Sequence, residues 1–241
     1  MRSKKQFTHY YLKGFLKQAK VLLENSKAFS NQGSKDIDFF NWHFLKSTIE
    51  ATESVILLSK RNLNRQASII TRQIFELYVY FIDTNSNPDL ASKWRLYVIY
   101  EDYRYMKFAY KITLEKFKLK AIESGIPESL IEKAFAEFPP EKNFNNWYKK
   151  NDVIRTIIEK HDDRFMYEDK ITHKSLSCTV HMSPWGLFGN SDMFILTNSL
   201  RVLICIAHLF DKTYSLGQNK KLDNLWQGVQ TFVLKDSDNS V

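Results

Sequence analysis

Residues 67–82 read Ala67-Ser-Ile-Ile-Thr-Arg-Gln-Ile-Phe-Glu-Leu-Tyr-Val-Tyr-Phe-Ile82. Wound at 3.6 residues per turn, this stretch shows apolar groups on nearly every side. A segment of that kind is stable only when most of its circumference is covered, as in the central helix of a bundle. Two charges interrupt it, Arg72 and Glu76. Residues four apart on a helix lie one above the other on the same face, so these two can pair. In a shielded position the pairing is required, because a lone buried charge is far costlier than a matched one.

Outward from this helix, expected over about Arg65 to Asp83, the same periodicity continues. Towards the N-terminus, Tyr11, Phe15, Ala19, Leu22 and Leu23 form a helical stripe that ends at Asn31-Gln-Gly-Ser34. A second helix is expected over 36–60, with Phe40, Phe44, Ile49 and Leu57 among its apolar positions. Towards the C-terminus, Asn85-Ser-Asn-Pro-Asp89 stops one helix and starts the next, with Pro88 suited to a first turn. The fourth helix reads as one long element from Asp89 to Glu123, closed by Gly125-Ile-Pro127. A short helix from Glu128 to Phe138 then stops at Pro139-Pro140. Further helices are expected from an Asn151-Asp152 cap to Lys160, over 165–182, over the strongly apolar 192–210, and over 222–233.

Composition agrees with this reading. The 241 residues are 44% hydrophobic and 15% aromatic, enough for one large core, and only 7 Gly and 5 Pro leave few turns. We therefore expect an all-α, single helical-bundle domain of about seven to nine helices. Residues 65–83 and 192–210 stand at its centre. Residues 1–35 form an N-terminal helix packed on the bundle, 36–233 the main helical domain, and 234–241 a frayed tail. No apolar run approaches the ~20 residues of a membrane span, and the basic N-terminus leads into no apolar signal segment. Cys178 and Cys205 sit in apolar helical contexts and read as buried thiols. These features point to a cytoplasmic setting with no membrane partner. The net charge of +8 suits either a solvated lysine surface or nucleic acid. The lysines are scattered, and Lys149-Lys150 beside Trp147-Tyr148 makes only a small basic-aromatic patch.

Ser177 and His181 repeat the four-residue spacing inside Leu176-Ser-Cys-Thr-Val-His-Met-Ser-Pro184, and His173 extends the stripe. No Gly-x-Ser-x-Gly elbow and no His-Glu-x-x-His accompany them, so neither a serine hydrolase nor a zinc site is expected. We expect no metal and no cofactor. His181 reads equally as a hydrogen-bonded histidine beside a helix C-terminus. An alternative pair is Arg155 and His161, whose spacing matches the loose Arg-x(4–6)-His pattern of the helical HEPN ribonucleases. In those enzymes Arg and His act on the RNA 2′-hydroxyl and phosphate.

In order along the chain, Arg72-x-x-x-Glu76, Trp94-Arg-x-Tyr97, Trp147, Tyr167 and Ser177-x-x-x-His181-x-Ser183-Pro184 resemble a widespread bacterial and phage-associated family of all-helical proteins of unknown function. The resemblance covers about residues 40–215. It implies that Arg72, Glu76, Ser177 and His181 converge as the candidate catalytic group. Trp94, Tyr97, Glu101, Tyr167 and Ser183 are the candidate substrate-binding residues around them. It also implies a distant likeness to HEPN domains, some of which serve in phage defence and toxin systems.

Two functions follow as expectations. The first is an intracellular defence- or toxin-type protein acting on RNA, with a cognate partner protein encoded nearby. The second is a non-catalytic interaction or sensor domain in which the Arg/Glu/Ser/His cluster is structural. Tyr100, Tyr103, Tyr105, Phe108 and Tyr110 are too many for one helix face to bury. We expect at least two at the surface as part of a homodimer interface, unless the loop from Pro139 to Lys150 covers them.

Overall fold

The computed structural model describes residues 4–144, 153–161, 192–218 and 220–228. Among these residues the chain is helical and contains no strand. The helices are α1 (Lys4–Asn25), α2 (Asp36–Lys60), α3 (Asn64–Ser86), α4 (Asp89–Tyr110), α5 (Leu114–Glu123), α6 (Glu128–Glu137), α7 (Val153–Lys160), α8 (Asp192–Tyr214) and α9 (220–228). A short 3-10 helix, Lys27–Ser30, leads from α1 towards α2. None of the described helices is long and apolar enough to cross a membrane.

The core is built from α1, α2, α3 and α8. Helices α2 and α3 form an antiparallel hairpin across Arg61-Asn62-Leu63, where Asn62 takes a left-handed φ of 56°. Asparagine tolerates that conformation better than most residues. Helix α8 lies against α1, α2 and α3. Ala67, Ile74, Phe75 and Val79 of α3 meet Leu196, Leu203, Ala207 and Phe210 of α8 in one buried cluster. Leu12, Phe15 and Leu22 supply the α1 side of that cluster. The central positions expected for 65–83 and 192–210 are therefore occupied as read. Two hydroxyls inside this core are satisfied locally: Thr48 and Thr71 each donate to the carbonyl four residues back, and Thr71 also meets Ser199 of α8 at 3.1 Å.

Helices α4, α5 and α6 form a second layer with its own small core of Ile99, Tyr103, Phe117 and Ile131. Arg95 rivets this layer to the first. Its guanidinium is almost fully buried and donates to Asp36 Oδ1 at 2.6 Å, to the Ser34 carbonyl at 3.0 Å and to the Gln32 carbonyl, while lying 4.5 Å from the Phe39 ring centroid. One side chain thus fixes the turn that precedes α2 and the angle at which α4 crosses it.

The long fourth helix expected from the sequence is two helices. Helix α4 stops at Tyr110, Lys111 turns left-handed with φ 53°, and Thr113 starts α5 by accepting the Lys116 N–H at 3.4 Å. The break lets α5 fold back so that Phe117 and Ala121 pack against the α4 and α6 side chains. A straight continuation would leave that apolar pair in water. At the other end of the chain, α9 docks on α1 by close approach. A Cβ added at Gly14 would lie 2.9 Å from Leu225, and one at Gly228 would overlap the Tyr11 phenol.

Candidate functional site

Arg72, Glu76, Val79 and Asp83 recur along α3 at i, i+4, i+7 and i+11, which returns each to nearly the same side of the helix. The stripe is polar at both ends. Arg72 Nε donates to Glu76 Oε1 at 2.7 Å, and the two side chains are 18% and 30% exposed. The pair is thus half-shielded. Two turns on, about 10 Å further along the axis, Asp83 is wholly buried.

Asp83 is held by helix α7, which packs across α3. His161 Nε2 lies 2.7 Å from Asp83 Oδ1, and Lys160 Nζ donates to the same oxygen at 2.7 Å. A carboxylate can only accept, so the Nε2 atom carries the hydrogen and Nδ1 is the basic nitrogen of the ring. His161 is 8% exposed, whereas the Lys160 side chain is half-exposed. The position of His161 follows from sequence: Ile154, Ile157, Ile158 and His161 share the buried face of α7. His161 stands just past the end of α7. The arrangement is a histidine oriented by a buried carboxylate, with an ammonium beside it. Chemically, such a group can accept and return a proton, and Lys160 can meet an anion.

Arg155, the sequence partner of His161, turns the other way. Six residues along a helix is a rotation of roughly a third of a turn from alignment. Arg155 accordingly donates outward to Glu159 at 2.8 Å, with both side chains mostly exposed. Trp94 sits in an aromatic group with Phe39, Phe40, His43 and Phe44 of α2. Tyr97 donates to the Phe144 carbonyl at 3.2 Å, and its ring packs on Phe138. Burial, reinforced by the Glu101 carboxylate, raises the Tyr97 phenol above its ordinary value. Glu101 accepts from Arg104 at 2.6 Å. Trp94 and the Tyr97–Glu101 pair thus belong to the joins of α4 with α2 and with the 138–144 segment. Ser177, His181, Tyr167 and Ser183, together with His173 and Trp147, lie outside the described residues.

Asp83 is the residue that sequence reading passed over. The available signal was its place four residues after Val79 on the buried stripe, where a carboxylate needs a partner.

The profile of a family described as a family of unknown function, DUF5677, matches residues 40–194, more than half of the chain. The match takes in the α3 stripe, α4 to α7 and the first residues of α8. No curated protein and no solved structure matches this chain.

Proposed function

We propose, starting from the fact that this chain belongs to the DUF5677 family, that it acts on RNA as a defence- or toxin-type protein of the cytoplasm, distantly like the HEPN ribonucleases. In this reading His161, oriented by Asp83, is the general acid/base, and Lys160 meets the phosphate. Nδ1 takes the 2′-hydroxyl proton as that oxygen attacks phosphorus, the P–O5′ bond breaks, and the imidazolium so formed returns the proton to the departing 5′-oxygen. The Asp83–His161 hydrogen bond of 2.7 Å carries the proposal. Arg72 and Glu76, on the same side of α3, extend the polar strip along which a strand could lie. The net charge of +8 supports an anionic substrate. A cognate partner protein encoded nearby belongs to the same reading.

The test is incubation of the purified protein with a labelled single-stranded RNA beside His161→Gln, Asp83→Asn and Arg72→Ala. The expected result is cleavage leaving 2′,3′-cyclic phosphate ends, reduced about 100-fold or more in His161→Gln. Cleavage that persists in both His161→Gln and Asp83→Asn, or no cleavage by the folded wild-type protein, overturns the assignment.

A second reading rests on the burial of the same group. Asp83 is fully enclosed and His161 nearly so, as in a clamp that joins α7 to α3. The chain is then a non-catalytic interaction or sensor domain. Here His161→Gln lowers stability and changes no activity.

A further inference from the structure

We propose that the corner where α4 ends is a binding platform for single-stranded nucleic acid. Three rings stand out from the surface there: Tyr105 is 64% exposed, Phe108 80% and Tyr110 68%. Residues 139–144 do not enclose them. They turn instead over Tyr100, whose hydroxyl donates to the Lys142 carbonyl at 2.5 Å and whose ring meets Phe144. Between Tyr105 and Phe108 on one side and Pro140 and Asn143 on the other lies an open groove of about 780 Å³, whose cations are Arg104, Lys107 and Lys111, with Tyr110 beside it.

The order of these residues is what selects the ligand. Arg104, Phe108 and Lys111 recur at i, i+4 and i+7, so cation, ring and cation share one face. The left-handed turn at Lys111 leaves its ammonium 5.4 Å from the Phe108 ring centroid. Glu101, the single carboxylate among the described residues that line the groove, is neutralised by Arg104 at 2.6 Å, which leaves Lys107 and Lys111 as excess positive charge. A strand of nucleic acid presents what this face complements: a π-surface for each exposed ring and a phosphate between them for each cation. A second copy of this chain fits less well, since a two-fold contact would bring the same cations to both sides. The proposal shares the ligand class of the reading above but does not depend on His161, because it concerns binding and not cleavage.

The experiment is fluorescence anisotropy with 12-nucleotide oligo-dT and oligo-U, each labelled with fluorescein. Oligo-dT lacks the 2′-hydroxyl, so its binding is read whether or not the protein cleaves RNA. Both should bind at low salt. Tyr105→Ala and Phe108→Ala should each weaken binding about tenfold. The double change Lys107→Ala/Lys111→Ala should flatten the slope of log Kd against log salt by about 1.4. All four side chains are exposed, so melting temperatures should stay at the wild-type value. The proposal fails if neither oligonucleotide binds at tens of micromolar protein, or if these variants bind as the wild type does. It also fails if Phe108→Ala converts a dimer to a monomer in light scattering while oligonucleotide affinity is unchanged, because the face is then a protein interface.

Discussion

His161 and Asp83 are 78 residues apart in the chain and 2.7 Å apart in space, and Lys160 shares the same carboxylate oxygen. Removing the carboxylate strands two donors, one of them buried. Asp83→Ala should therefore cost about 1–3 kcal/mol. Asp83→Asn keeps an acceptor at the same place and should cost less. Urea unfolding followed by circular dichroism separates the two, and equal stability of Asp83→Ala and wild type would remove Asp83 from the structural role.

Arg95 should be the most sensitive charged residue for the joint between the two helical layers. Its fork serves a carboxylate and two carbonyls at once, which a lysine ammonium does not reproduce. Arg95→Ala leaves Asp36 and the 32–34 turn without their donors and should cost about 3–5 kcal/mol. Arg95→Lys should recover only part of it. The expected companion is faster proteolysis in residues 31–35. Wild-type stability and cleavage rate in Arg95→Ala would contradict the riveting role.

His43 should make the fold acid-sensitive. Burial, aided by the Lys46 and Arg95 charges, holds its imidazole below the ordinary value of 6.5. Below pH 6.5 the unfolded chain binds a proton that the folded chain resists, so stability falls as pH drops from 6.5 to the folded value. Above 6.5 this contribution is complete and flat. His43→Asn should therefore reduce the loss of stability as pH falls below 6.5. A denaturant midpoint series against pH measures it, and an unaltered slope in the variant would rule His43 out.

Arg72 and Glu76 form a pair that is only half-shielded, with 18% and 30% of the side chains exposed. Water at its edge weakens the coupling below that of an enclosed pair, so a double-mutant cycle should return about 1 kcal/mol. A coupling of several kcal/mol would show that the pair is more enclosed than these exposures imply. If Arg72→Ala abolishes an activity while stability changes by this small amount, the side chain serves ligand and not fold.

The legible parts of this structure are those whose signals are local. Helix α2 spans the residues that its apolar spacing and flanking turns mark out, and the Arg72–Glu76 bond follows from one helical turn of separation. The joint at 111–113 was hidden because apolar spacing continues across it, and Thr113 is a weak start signal without a glutamate three residues later. Asp83 reads in sequence as a polar residue near a helix end. Its partners come from α7, and no pattern of spacing connects residues 83 and 161. Tyr100 and Tyr110 look alike in sequence, yet one is enclosed by Phe138 and Phe144 and the other stands in water. What distinguishes them is the path of the loop after α6, a tertiary fact.

The pairing of α1 with α8 sets an order of events during synthesis. Helix α1 leaves the ribosome well before α8, carrying Leu12, Phe15 and Leu22 on its face, and α8 begins about 170 residues later. At translation speeds of roughly 5–20 residues per second, that face waits about ten to thirty seconds for α8. The α2–α3 hairpin closes from neighbouring segments and can form early, whereas the final core must await α8. The nascent chain therefore passes through a long interval in which the amphipathic face of α1 is incompletely covered.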